Sequence, residues 1–293
     1  MGRDSRPNIL IVCTDQQHWR MNSVNGHPLA HTPNLERLAA AGTNFRCCYS
    51  NSPVCVPARA AMLTGRYPSD LEAYDNASPF DGRVPTFANL AREAGYFCTA
   101  SGKLDLVEGR DYGFVEVETR HGHDVSPDVT AFFRNPLCVK PAPRQKTVVR
   151  EGPPKDRRFS EPTLEFLTRE APRSRRPWLA WTGWNAPHNA YVTSPEMLRK
   201  YAPEAMEAPR FPDGWETREH PVMRLTRYHR GLVPPFDEAT VRLYRAAYLG
   251  MITEIDAMVG DLLDALEATG QARDTVVIFT SDHGDMMGEH GLF

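Results

Sequence analysis

The chain has 293 residues, enough to bury a sizeable core as one large α/β domain or as two smaller ones. Its hydrophobic fraction of 41% and charged fraction of 24% are those of an ordinary globular protein and exclude a disordered or fibrous chain. A net charge of −3 supplies no global attraction for nucleic acid or an anionic membrane, so partners have to be argued locally.

The N-terminal "MGRDSRPNILIVCTD" passes from a polar lead into an apolar run too short for a signal peptide or a membrane span. With six cysteines that lack any C-x-x-C spacing, this points to a reducing cytoplasm. Asn8 to Thr14 reads as a buried parallel strand whose carboxyl end delivers Asp15. Thr32-Pro33 predicts the capped start of a helix over "NLERLAAAG", closed by Gly42, and "TNFRCCYS" reads as the next extended piece. A helix over "ARAAMLTG" follows Pro57 and stops at Gly65. Another, "TFANLAREAG", runs into the strand "YFCTASG", which ends near Lys103. Between about Arg120 and Arg176, Pro, Arg, Lys and Asp occur with little periodicity, which predicts a long excursion over the surface. "PWLAWTGWNAPHN" is a buried strand that hands Asn185 and His188 to its carboxyl end. From Asp237 to Gly270, Leu243, Ala247, Met251, Ile255, Met258, Leu262 and Leu266 fall near helical spacing, and "TVVIFTSDHGD" is a further buried strand.

Strands alternating with helices predict an α/β fold, a mostly parallel sheet sandwiched by helices, with its site at the strands' carboxyl ends. Those ends carry Asp15, Lys103, His188, Asp282 and His283. Oxygen-rich ligation with one imidazole suits Ca²⁺, Mg²⁺ or Mn²⁺ better than a thiolate-seeking metal. The same residues would equally serve as a turn cap and a salt bridge, and alone they do not choose. Cys55 opens a helix, a position that usually lowers a thiol pKa.

The stretch "CVPARAAMLTGR" resembles the signature of the type I sulfatases of the alkaline phosphatase superfamily: C-x-P-x-R, a small-residue helix, then T-G-R. Further blocks agree with that family in order: "NILIVCTDQ", "HTPNLERLAAAGTNF", "TASGK", "APHNAYVTSPE" and "TSDHGDMMGEHGLF". The resemblance implies an alkaline phosphatase-like fold, one catalytic domain over residues 1–293, and metal-dependent hydrolysis of a small anionic sulfate ester. It further implies that a formylglycine-generating maturation enzyme oxidises Cys55 to formylglycine. One hydroxyl of the resulting diol attacks sulfur and the other expels sulfate. By the same resemblance Arg59 holds the diol. Asp15, Asp282, His283 and the modified Cys55 hold the divalent metal, Ca²⁺ first and Mn²⁺ or Mg²⁺ next. Lys103 binds the anionic group and His188 protonates the leaving oxygen.

Three departures qualify that reading. Gln16 stands where many relatives have a second aspartate. With "YDNASPF" this is similar to the choline sulfatase and phosphonate monoester hydrolase branch. Gln16 and Asn76 then join Lys103 and His188 as substrate-binding candidates, and phosphonate or phosphate diester hydrolysis becomes the alternative activity. Asp105 replaces the histidine usual two residues after the lysine. Either the base role has passed to Asp105, with His121 and His123 as downstream compensators, or turnover differs; Asp105 also favours a further alternative, an inactive fragment that binds an anion or partner. The sequence also stops short of the relatives' further lysine and C-terminal subdomain. That predicts an N-terminal part with an exposed sheet edge, met by a complementing C-terminal segment or an oligomer.

Overall fold

The apolar run after the polar lead forms the first strand of a parallel sheet in the computed structural model, which describes residues 5–76, 78–120, 148–211, 214, 219–229, 232–233 and 235–293. Five strands, β1 (Asn8–Thr14), β2 (Phe97–Lys103), β3 (Val115–Arg120), β4 (Trp178–Gly183) and β5 (Thr275–Ser281), lie in the order β3-β2-β4-β1-β5. Every pairing is parallel. The central strands β1 and β4 are covered on both faces, which is why they read as continuous apolar runs. Cys13 of β1 is level with Gly183 of β4 and Thr280 of β5, so three carboxyl ends arrive side by side.

The helices are α1 (Pro33–Ala40), α2 (Cys55–Thr64), α3 (Pro68–Leu71), α4 (Phe87–Glu93), α5 (Arg157–Glu165), α6 (Pro195–Lys200), α7 (Pro221–His229) and α8 (Glu238–Ala268). On one face of the sheet, Ile255, Met258 and Leu262 of α8 and Phe159 of α5 pack with Leu10, Val12, Trp178 and Ala180. On the other, Ala60 and Leu63 of α2 pack with Ile11, Cys13, Ala100 and Trp181. Alternate residues of β1 thus feed two cores, as the two-residue period of a strand requires. Helix α8 starts where the Asp237 carboxylate accepts the Thr240 backbone N–H at 2.7 Å. Among the described residues no helix is long and apolar enough to cross a membrane.

Four expectations from the sequence change. Thr32 stands at the start of α1, but its hydroxyl is engaged by Ser23. The cap comes from Asp256 of α8, which accepts the backbone N–H of Asn34 at 3.0 Å and of Leu35 at 2.8 Å. Residues 43–50 form no strand: they are exposed throughout, Phe45 and Tyr49 included. The predicted surface excursion ends at α5, continued by a π-turn at Phe166–Glu170 and a 3-10 turn at Ala171–Arg173. Phe159, Phe166 and Leu167 are buried against the sheet, at a helical spacing that the surrounding Arg and Pro obscure; residues 121–147 lie outside the description. Finally, β5 is an edge strand, not a buried one, and leaves Val276 47% and Ile278 43% exposed.

Candidate metal and catalytic centre

The sheet delivers Asp15 after β1, Lys103 at the end of β2, His188 beyond β4, and Asp282 and His283 after β5. Helix α2 lays Cys55 and Arg59 over these ends. Its small residues Ala58, Ala60 and Ala61 are buried and permit the close approach, and Gly65, in the left-handed conformation, stops the helix. At its start the Asn76 side-chain oxygen accepts the Val56 N–H at 3.1 Å, which places the Asn76 amide beside Cys55.

The donor atoms of Asp15, Cys55, Asp282 and His283 lie within 4.8 Å of one another, and all four residues are buried. Cys55 Sγ is 3.3 Å from His283 Nε2 and 3.6 Å from Asp15 Oδ1. His283 Nδ1 is 2.9 Å from the Gly284 carbonyl. A carbonyl only accepts, so Nδ1 carries the proton and Nε2 presents its lone pair to the cluster. Asp282 Oδ1 is oriented by the backbone N–H groups of Gln16 at 3.0 Å and His283 at 2.8 Å. Two carboxylates and one imidazole lone pair, gathered in a buried pocket, fit a divalent cation.

Two cations share those carboxylates. Arg59 is fully buried. Its Nε donates to Asp282 Oδ2 at 2.9 Å, its Nη1 to the Lys103 carbonyl at 2.8 Å, and its Nη2 faces Asp15 Oδ2 at 3.7 Å. The same Lys103 carbonyl accepts Trp181 Nε1–H at 3.3 Å. Burial works against the guanidinium charge, but Asp282 leads the carboxylates that hold its pKa above the ordinary arginine value. Lys103 Nζ contacts Asp15 and lies 3.0 Å from Asp105 Oδ2. Burial again opposes the charge, and Asp15 and Asp105 outweigh it, so the ammonium pKa is raised. Burial would lift the Asp15 carboxyl, yet Lys103 and then Arg59 hold it below the usual range.

Cys55 reverses a sequence expectation. Burial raises its thiol pKa, against the lowering that a helix start usually gives. His188 is half-buried, and its Nδ1 donates to the Asn189 carbonyl at 2.6 Å. Burial pulls its pKa down, but the hydrogen bond with Cys55 and the charge of Asp15 raise it overall.

Gln16 adopts the left-handed φ of 66°. Its amide donates to Asp285, whose same oxygen accepts the Tyr191 hydroxyl at 2.6 Å, while the Gln16 carbonyl accepts the Tyr248 hydroxyl. Asp285, Tyr191 and Tyr248 were not anticipated from the sequence. The second acid of "SDHGD" was the available signal for Asp285, whereas the tyrosines reach the site only through tertiary packing. Asp105 is buried with a left-handed φ of 56°, and its carboxylate oxygens accept no hydrogen bond despite the ion pair with Lys103. His121 and His123 lie outside the described residues.

The family model described as Sulfatase matches residues 7–292. The chain belongs to the sulfatase family. It is 33% identical to the choline-sulfatase of Rhizobium meliloti (strain 1021) over 98% of this chain and 59% of that relative. It is 30% identical to arylsulfatase K of Gallus gallus over 99% of this chain and 55% of that one. This sulfatase chain therefore spans a little over half the length of the curated relatives it matches. Among solved structures, the phosphonate monoester hydrolase of Agrobacterium radiobacter superimposes with a TM-score of 0.80 at 24% identity, covering 97% of this chain and 64% of that one. BT4656, solved in complex with its substrate D-glucosamine-2-N,6-O-disulfate, superimposes with a TM-score of 0.72 at 22% identity, over 98% of this chain and 67% of that one. The mostly parallel sheet with helices is the alkaline phosphatase-like fold of these proteins.

Proposed function

We propose that the protein hydrolyses sulfate monoesters, using a formylglycine made from Cys55 by a maturation enzyme and a divalent cation held by Asp15, Asp282, His283 and the converted residue 55. The observation that carries this reading is the place of Cys55: first residue of α2, buried, and within 4.8 Å of three donors suited to a hard cation. Hydrated formylglycine supplies a hydroxyl nucleophile and a second hydroxyl that lets sulfate leave, and the cation supplies charge neutralisation.

The chain's own residues set the stage. Arg59, held by Asp282 and the Lys103 carbonyl, fixes the start of α2 against the strand ends, so residue 55 and its partners keep one geometry. Lys103 and the Asn76 amide face the entering anion, and the Gln16 carboxamide is kept in one orientation by Asp285. His188 Nδ1 is committed to the Asn189 carbonyl, so the proton it delivers to the leaving oxygen travels on Nε2. The relative named choline-sulfatase makes small alkyl sulfates first candidates beside aryl sulfates. Ca²⁺ is the first ion to test, then Mn²⁺ and Mg²⁺. Cys13, Cys47, Cys48 and Cys98 are unpaired, which supports a reducing compartment.

The test is turnover of choline sulfate, an aryl sulfate and an aryl phosphonate ester by protein co-expressed with a maturation enzyme. Intact mass is followed for the exchange of one sulfur and two hydrogens for one oxygen at Cys55. Sulfate turnover that tracks this exchange and vanishes in Cys55→Ala is the expected result. Full activity with an unchanged thiol overturns the diol chemistry, and dominant phosphonate turnover selects the phosphonate or phosphate diester alternative.

A further inference from the structure

We propose that Asp105 is a charge filter at this site, favouring ester anions with one negative charge over those with two; the inference rests on the reading of Lys103 as the anion-binding group. Asp105 is 1% exposed, and its Oδ2 lies 3.0 Å from Lys103 Nζ. Neither carboxylate oxygen accepts a hydrogen bond, and the charges that act on Asp105 are the Lys103 ammonium beside it and the Arg59 guanidinium. Its field falls on the lysine and on whatever the lysine binds.

The charges around the site sharpen the point. Asp15, Asp105 and Asp282 act on Lys103 and Arg59, so three carboxylates face two cations. An oxygen hydrogen-bonded to Nζ can be no farther from Asp105 than the two contacts end to end, about 6 Å. At that range, with an effective dielectric of about 20, repulsion between Asp105 and one additional unit of negative charge weakens binding on the order of a hundredfold. Sulfate monoesters, phosphate diesters and phosphonate monoesters carry one charge at pH 8. A phosphate monoester, with its second pKa near about 6, carries two.

The experiment compares phenyl sulfate with phenyl phosphate at pH 8 on the cation-loaded full chain, by calorimetric binding and by KM and kcat. The variants are Asp105→Asn, which keeps the shape and tolerates the left-handed backbone, and Asp105→Gly, which that backbone also accepts. The expected result is that both variants shift the affinity ratio toward phenyl phosphate on the order of tenfold or more, chiefly in Kd and KM. A ratio unchanged in either folded variant overturns the filter, and so does a wild type that binds phenyl phosphate as tightly as phenyl sulfate. Binding needs no turnover: a wild type that shows the ratio yet hydrolyses neither ester sinks the hydrolase reading and leaves the filter standing.

Discussion

Arg59 is wholly enclosed by Asp15, Asp282 and the Lys103 carbonyl, and its charge is the internal counterweight to two buried carboxylates. Removing one partner of such a set leaves the others uncompensated, at a cost of about 3–5 kcal/mol. Arg59→Met is therefore expected to lose about that much stability in urea denaturation without added metal, with part of the loss recovered by excess Ca²⁺ or Mn²⁺. A loss below 1 kcal/mol, roughly the scale of an exposed pair, would show that the arrangement does not depend on its charge. The place of Arg59 one turn into α2 was legible from "CVPARAAMLTGR". The Asp285 contact with Gln16 was not, because no local pattern tells which acid beyond a strand end turns inward.

At the scale of elements, α1 is capped from another helix. Asp256→Ala removes the carboxylate that accepts two N–H groups at the start of α1 and is expected to cost about 1–2 kcal/mol in thermal or chemical denaturation. Burial raises the Asp256 carboxyl pKa against the hydrogen bonds from Asn34 and Leu35. A loss no greater than that of an exposed control substitution on the same face of α8 would remove it as the cap. The sequence did expose β1, β4 and α8, whose apolar periodicity and length are decided locally. It misjudged 43–50, α5 and the burial of β5 for one reason. Whether an apolar run is covered on two faces, one or none depends on neighbours distant in the chain, and composition does not encode them.

For the molecule as a whole, the cluster draws Asp15 from the first strand and Asp282 and His283 from beyond the last. A cation bound there ties the carboxyl end of β1 to that of its neighbour β5, far apart in the chain, and stabilises the folded state by mass action, about 2.7 kcal/mol at a hundredfold excess over Kd. Treatment with EDTA is expected to lower the Tm and abolish ester hydrolysis, and added Ca²⁺ or Mn²⁺ to restore both. A Tm indifferent to chelation and to added ion would remove the cation from this site. Among the described residues both edge strands present apolar side chains to solvent, Val276 and Ile278 on β5 and Val115 and Val117 on β3.

The central strand β4 holds Trp178 and Trp181, with Trp184 one residue past its end, and all three are buried. Trp181 shares the Lys103 carbonyl with Arg59, while Trp178 and Trp184 donate to Gln271 at 3.2 Å and Ser160 at 3.1 Å. Indole emission responds to the polarity and hydrogen bonding around the excited ring. The sheet thus carries an optical reporter one hydrogen bond from the backbone of Lys103, placed to sense the loading of the site with no label attached.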